Sequence, residues 1–218
     1  MPSIVPLFSA LVVAIALTGC ASAPRVAYPG LPSATYLKAH EGSRGDRRPY
    51  AYQSNVRWSD YQRFVLEPVE IYPQPEAQFE KLSDADTRVI SDHMFRAFGE
   101  ALATRFEPTQ QPGPRTLRVQ LVLTGAKPTT RFLSTAMKFD LAGAPYNAVQ
   151  SARGRPGALS GWLAYAVEIY DAQTNQLLAA YVETQYPNAM NIKASSGRLS
   201  AALTGADKGA EALMASLR

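Results

Sequence analysis

The 218-residue sequence is poor in the side chains that most catalytic and metal centres are built from: it has one cysteine and two histidines. A metal site draws on a clustered set of His, Cys or carboxylate ligands, and His40 and His93 stand apart with no such set around them. His93 lies beside Asp92 in a helical stretch and reads as a helix-surface residue; His40 lies in an irregular one. Ser134 and Ser160 lack the Gly-x-Ser-x-Gly elbow of a nucleophilic serine, and neither a glycine-rich phosphate loop nor a dinucleotide fingerprint occurs. No catalytic residue, cofactor site or metal site is therefore expected.

Long apolar runs are also missing. The longest, Leu7 to Leu17, is broken only by Ser9 and spans about 11 residues, where a membrane-crossing helix needs roughly 20. That length suits the apolar core of a signal peptide, and the small residues Thr18 and Gly19 then lead into Cys20. Met1 to Pro6 carries only the terminal amine where such signals normally carry Lys or Arg, as a start placed too far downstream or a weak signal would both produce.

Leu17-Thr18-Gly19-Cys20 resembles the lipobox of bacterial lipoproteins. The resemblance implies a diacylglycerol on the Cys20 thiol, cleavage after Gly19 and a mature chain anchored by its acyl groups, palmitate among them. One buried acyl chain holds marginally and two or more hold firmly. Ala21, rather than Asp, follows the cysteine, which by the sorting rule of enteric bacteria implies the periplasmic side of the outer membrane. With Cys20 acylated, no thiol remains for a disulfide, a metal or a nucleophile, and stability rests on packing.

Charge is equally informative by its placement. Residues 1–57 carry Arg25, Lys38, Arg44, Arg47, Arg48 and Arg57 against Glu41 and Asp46, which accounts for the whole net charge of +4. The rest of the chain balances, so a nucleic-acid partner is not expected. The basic segment is either a solvated linker or a patch lying on anionic head groups.

Residues 1–19 thus read as a signal peptide, 20–57 as a lipidated cysteine, linker and basic arm, and 58–218 as one α/β domain. Over 21–35 the prolines and small residues suggest a linker that lets the domain stand off the membrane, and 35–52 an arm packed on the domain. Arg63 to Tyr72 reads as a strand, with Val65, Glu67, Val69 and Ile71 on one face, and Pro68 makes it an edge or bulged strand. Ser83-Asp84-Ala85-Asp86 starts an amphipathic helix to about 106.

Thr116 to Thr124 alternates: Leu117, Val119, Leu121 and Leu123 face a core, and Thr116, Arg118, Gln120 and Thr124 face out. Residues 126–158 mix apolar groups, glycines, prolines and five basic residues, and form either a long functional loop or an extra hairpin or short helix. Leu159 to Asp171 and Leu177 to Tyr186 form a hairpin around a turn in which Asp171 and Asn175 bond their own backbone. Leu199, Leu203, Ala206, Ala210, Leu213 and Leu217 mark a last helix over about 195–217. Within it, Gly205 and Gly209 suggest close packing on the sheet.

Several stretches resemble a family of small bacterial lipoproteins defined only by a domain of unknown function: Trp58-Ser59-Asp60-Tyr61 before Val65-Leu66-Glu67-Pro68-Val69, the strand Pro114 to Val119, and Val167-Glu168-Ile169-Tyr170-Asp171 leading through Thr174 to Leu178-Ala179-Ala180. The likeness covers most of residues 30–217 and transfers no catalytic assignment. The order β-α-β-β-β-α is also similar to the amino-terminal domain of TolB and to that of several outer-membrane assembly lipoproteins. It leads us to expect a four-stranded mixed sheet with two helices on one face.

Two functions remain open. One is a non-catalytic module that binds an envelope protein or polymer through an edge strand or the 126–158 segment. The other is a hydrolase acting on envelope material through carboxylates such as Glu168 and Glu183, which sit on the two hairpin strands and could pair across the loop. The oligomeric state is open.

Overall fold

The computed structural model describes residues 27–40, 47–129, 161–187 and 197–218. Among these lie β1 (Lys38–Ala39), β2 (Tyr50–Gln53), a 3-10 turn at Trp58–Asp60, β3 (Arg63–Leu66), β4 (Glu70–Ile71), β5 (Gln78–Phe79), α1 (Asp84–Ala103), β6 (Glu107–Pro108), β7 (Thr116–Lys127), β8 (Trp162–Asp171), β9 (Leu177–Gln185) and α2 (Ser200–Ser216).

The expected four-stranded sheet is replaced by one of nine strands, ordered β1-β2-β9-β8-β7-β3-β6, with β4 and β5 also bonded to β7. Two causes account for the difference. Pro68, Pro73 and Pro75 cannot donate to a ladder, so the chain that follows β7 in parallel is broken into β3, β4 and β5. On the other side, the arm adds strands of its own: Tyr50–Gln53 pairs with Val182–Ala179, and Lys38–Ala39 pairs with β2.

Three long antiparallel strands, β7, β8 and β9, form the centre, with bulges at Leu123/Gly125 and at Ile169/Tyr170. Both helices pack on one face. Ser83 caps α1 in a capping box, its Oγ accepting from the Asp86 amide at 3.1 Å while Asp86 Oδ2 accepts from the Ser83 amide at 3.0 Å. Ile90, Met94, Phe98 and Leu102 of α1, with Ala202, Ala206, Ala210 and Leu213 of α2, bury Leu117, Val119, Leu121 and Leu123 of β7 and Leu163, Tyr165, Val167 and Ile169 of β8.

Gly205 and Gly209 of α2 are packing residues, as their place in the helical stripe suggested. A Cβ at 205 would meet Leu163 Cβ at 3.1 Å, and one at 209 would collide with the Tyr165 hydroxyl. Asp171 closes the β8–β9 turn, its Oδ1 accepting from the amides of Gln173 at 2.9 Å and Thr174 at 2.8 Å. Asn175, at φ 60, is the left-handed residue of that turn.

The second face of the sheet departs from expectation. Thr116 and Thr124, expected to face out, are both buried; at the Thr124 end the cause is that residues 27–37 lie across this face as a strap, with Tyr28 against Thr124. Tyr28 and Leu31 bury Val122, Ala166 and Val182 together with Tyr72, and the Tyr28 and Tyr72 rings meet edge-on at 5.1 Å. From Ala27 onward, the segment expected as linker is therefore part of the fold. In the broken strand the buried side chains are Phe64 and Tyr72, while Ile71 is exposed; the breaks at proline shift the alternation.

Candidate functional site: two buried carboxylates and the strap face

Glu168 and Glu183 sit on neighbouring strands, but they cannot pair. Glu168 is opposite Ala180 and Glu183 is opposite Tyr165, which by the two-residue period of a strand puts the carboxylates on opposite faces of the sheet. Nor are they solvated: Glu168 is 0% exposed and Glu183 5%.

On the strap face, Glu168 Oε1 accepts from the Ser33 amide at 2.8 Å, and Oε2 accepts from the Tyr170 hydroxyl, also at 2.8 Å. Burial, followed by this bond to Glu168, pushes the Tyr170 phenol well up. Over the Tyr170 ring, at 4.0 Å, lies the guanidinium of Arg118, which also donates to Glu67 Oε1 at 3.3 Å and to Asn175 Oδ1 at 2.5 Å. The strap, β7, β8 and the hairpin turn thus share one polar network.

Beside that network is an open cleft of about 550 Å³, lined by Tyr36, Tyr52, Arg118, Gln120, Tyr170 and Gln176 among others. The Tyr36 and Tyr52 rings lie 5.3 Å apart, and Tyr36 is half exposed. Aromatic faces next to a fixed cation and the side-chain amides of Gln120, Asn175 and Gln176 suit a ligand that carries both apolar surface and hydrogen-bonding groups.

On the helix face, Glu183 is held by Arg48, whose Nε donates to Oε2 at 3.0 Å and whose Nη2 bonds the same oxygen, while Gln185 Nε2 donates to Oε1 at 2.6 Å. Arg48 also lies over the Tyr181 ring at 3.7 Å. Burial opposes the guanidinium charge, but Tyr181 and Glu183 outweigh it and the Arg48 pKa stands above its ordinary value. The Tyr181 hydroxyl is buried without a partner among the described residues, and that of Tyr165 lies beside Gln185 without a hydrogen bond of normal geometry. Burial, then Glu183, drives both phenols far up.

Each carboxylate oxygen thus already accepts at least one protein donor, an arrangement that fixes neighbouring segments in place and leaves no carboxylate face open to a substrate. Among the described residues no group of three or more His, Cys, Asp or Glu is placed to hold a metal. His93, expected on the helix surface without a partner, has one: its Nε2 lies 2.7 Å from Asp207 Oδ1 and joins α1 to α2. His40 is exposed at the end of β1.

Leu17, Thr18, Gly19 and Cys20 lie outside the described residues, and of 126–158 only Ala126 to Thr129 lie within them. Ser33, Arg48, Arg118 and Asn175 complete the two networks and were not legible as site residues. Arg48 had a faint signal, being half of the Arg47-Arg48 pair in the arm expected to pack on the domain, but two arginines are too short a cluster to mark a site.

Residues 27–213, from the first described residue of the strap to the last turns of α2, match the family profile described as "Protein of unknown function (DUF3313)". The chain belongs to the DUF3313 family. No curated protein matches this DUF3313 chain by sequence. Among solved structures, the PelC dodecamer from Paraburkholderia phytofirmans is similar at 10% identity, covering 72% of this chain and 93% of that one with a TM-score of 0.37. A DUF4136 family protein from Bacteroides thetaiotaomicron is similar at 10% identity over 78% of this chain and 97% of that one, with a TM-score of 0.40. Both likenesses are remote.

Proposed function

We propose that this DUF3313 protein is a lipoprotein anchored through Cys20 to the periplasmic side of the outer membrane, and that it works by binding an envelope component rather than by catalysis. The lipobox at Leu17 to Cys20 supports the anchor. The observation that carries the rest is the state of the two carboxylates. Glu168 and Glu183, the candidates for hydrolysis, are buried and engaged by Ser33, Tyr170, Arg48 and Gln185, while the open cleft beside the Glu168 network is lined by aromatic and amide groups. A general acid or base has to reach the substrate proton; a cleft of tyrosines and amides only has to hold its ligand.

A photo-crosslinker at Gln176, exposed on the rim of the cleft, tests this in cells. Capture of one envelope component, lost when Tyr36 is changed to Ala, is the expected result. Failure to capture any, together with turnover of an envelope polymer that Glu168→Gln or Glu183→Gln abolishes, would overturn it.

A further inference from the structure

The strap leaves very little free chain between the proposed anchor and the folded domain. Ala27 is the seventh residue after Cys20 and Tyr28, the eighth, is already buried against Tyr72. Seven residues span at most roughly 25 Å when fully extended. This reach is shorter than α1, whose 20 residues run for about 30 Å. The strap is fastened along its length: the Gly30 amide donates to the Tyr72 hydroxyl at 3.0 Å, Gln78 Nε2 to the Tyr28 hydroxyl at 3.0 Å, and the Ser33 amide to Glu168.

A tether this short limits how the domain can turn. Presenting the helix face to the bilayer would lift Ala27 by the depth of the helix layer and the sheet, about 20 Å, and use nearly all of the reach. Presenting the strap face uses little of it.

What the strap face exposes also suits a lipid surface. An apolar groove of about 310 Å³ opens beside the start of the strap, lined by Tyr28, Ala34, Leu37, Tyr50 and Val182 among others. Tyr36 is half exposed next to it, and tyrosine favours the membrane interface. Lys38 is exposed and has no carboxylate partner among the described residues, and the segment 27–57 is net basic, with Lys38, Arg44, Arg47, Arg48 and Arg57 against Glu41 and Asp46.

From these observations we infer that the strap face is a membrane-apposed surface, with its apolar groove against the lipid of the bilayer that holds Cys20 and the two helices turned away from it. The inference rests on the lipoprotein reading above. It also places the Tyr36–Tyr52 cleft at the membrane surface, so that the component it binds is one that lies within reach of the bilayer.

Because acylation consumes Cys20, a cysteine introduced elsewhere is the one free thiol of the mature protein. The full lipidated chain carrying Thr35→Cys or Arg96→Cys, the first on the exposed strap and the second on the exposed side of α1, is spin-labelled. It is then reconstituted in vesicles of phosphatidylethanolamine and phosphatidylglycerol. The label at 35 should show an oxygen-to-nickel accessibility ratio several-fold above that at 96. Equal ratios in vesicle-bound protein overturn the inference while leaving the anchor standing; protein that fails to stay with vesicles, or a Cys20→Ser form that stays equally well, instead removes the anchor on which it rests.

Discussion

The Ser33 amide donates to Glu168 Oε1 at 2.8 Å across 135 residues of sequence, and it does so where the carboxylate is fully buried. This bond makes β8 the dock for the amino-terminal strap. It also explains why a charged residue is found in the middle of a strand buried from Trp162 to Tyr170: a backbone donor and a phenol together satisfy it.

Glu168→Ala orphans both donors. Leaving a buried donor unpaired costs about 1–3 kcal/mol, so the variant should unfold at lower urea and lose amide-exchange protection over 27–37 first. Glu168→Gln keeps an acceptor for the Ser33 amide and should retain most of that protection. Equal protection of the strap in all three proteins would remove Glu168 as its dock.

Arg48 and Glu183 form a buried pair, with side-chain exposures of 14% and 7%. Removing one partner of such a pair costs roughly 3–5 kcal/mol because the other charge is stranded, whereas an apolar pair of similar size is often neutral or better. Arg48→Ala should therefore destabilise far more than the double variant Arg48→Met/Glu183→Leu. Urea titrations of the single and double variants read this directly, and additive losses would show that the two side chains do not act as a pair.

At 209 the constraint is space. Gly209→Ala pushes a methyl into the Tyr165 hydroxyl, and overpacking of this kind costs about 1–3 kcal/mol. Tyr165→Phe removes an oxygen that lacks a normal hydrogen bond and should cost little by itself. Introduced together, the two changes should be less damaging than the sum of each alone, as measured by thermal unfolding.

The Tyr61 hydroxyl donates to Asp171 Oδ2 at 3.0 Å, and the two groups respond to pH in opposite directions. Burial, then Asp171, raises the Tyr61 phenol to about 12 from its ordinary 10.0. Its contribution to stability is full below pH 10 and is lost as the pH climbs toward the folded value. For Asp171, burial works upward but the amides of Thr174 and Gln173 and the Tyr61 hydroxyl outweigh it, so its pKa is lowered. That contribution is present above the ordinary carboxylate value and is lost as pH falls through the folded one. Tyr61→Phe should flatten the alkaline limb of the stability curve and shift the acid limb upward; an unchanged alkaline limb would rule out Tyr61 as its source.

Much of the scaffold was legible because its signals are local. The capping box at Ser83 and Asp86, the alternation from Leu117 to Leu123, the Asp171 turn and the Gly205 and Gly209 stripe each involve residues within a few positions of one another. The sheet was underestimated for a related reason. Tyr50–Gln53 has no strong strand pattern of its own, and becomes a strand by bonding to β9. The breaks at Pro68, Pro73 and Pro75 hid the length over which the chain follows β7.

The sites were less legible than the scaffold. Glu168 and Glu183 were visible as carboxylates on strands, but residue type carries no information on burial. The partners that decide it, Ser33 for one and Arg48 for the other, are each 135 residues away.

By itself the sequence determined the signal-like apolar run with its resemblance to a lipobox, the concentration of the net charge in residues 1–57, and the order of the long strands and helices. These are properties of composition, of short motifs and of the two backbone periods, and they need no distant partner. Only the tertiary structure decided that the presumed linker is a strap from Ala27 onward, that the supposed outer face of β7 is covered, and that the two glutamates lie on opposite faces. Those outcomes depend on which segments come to share a surface, and that is settled by packing and by the cost of leaving a buried polar group without a partner.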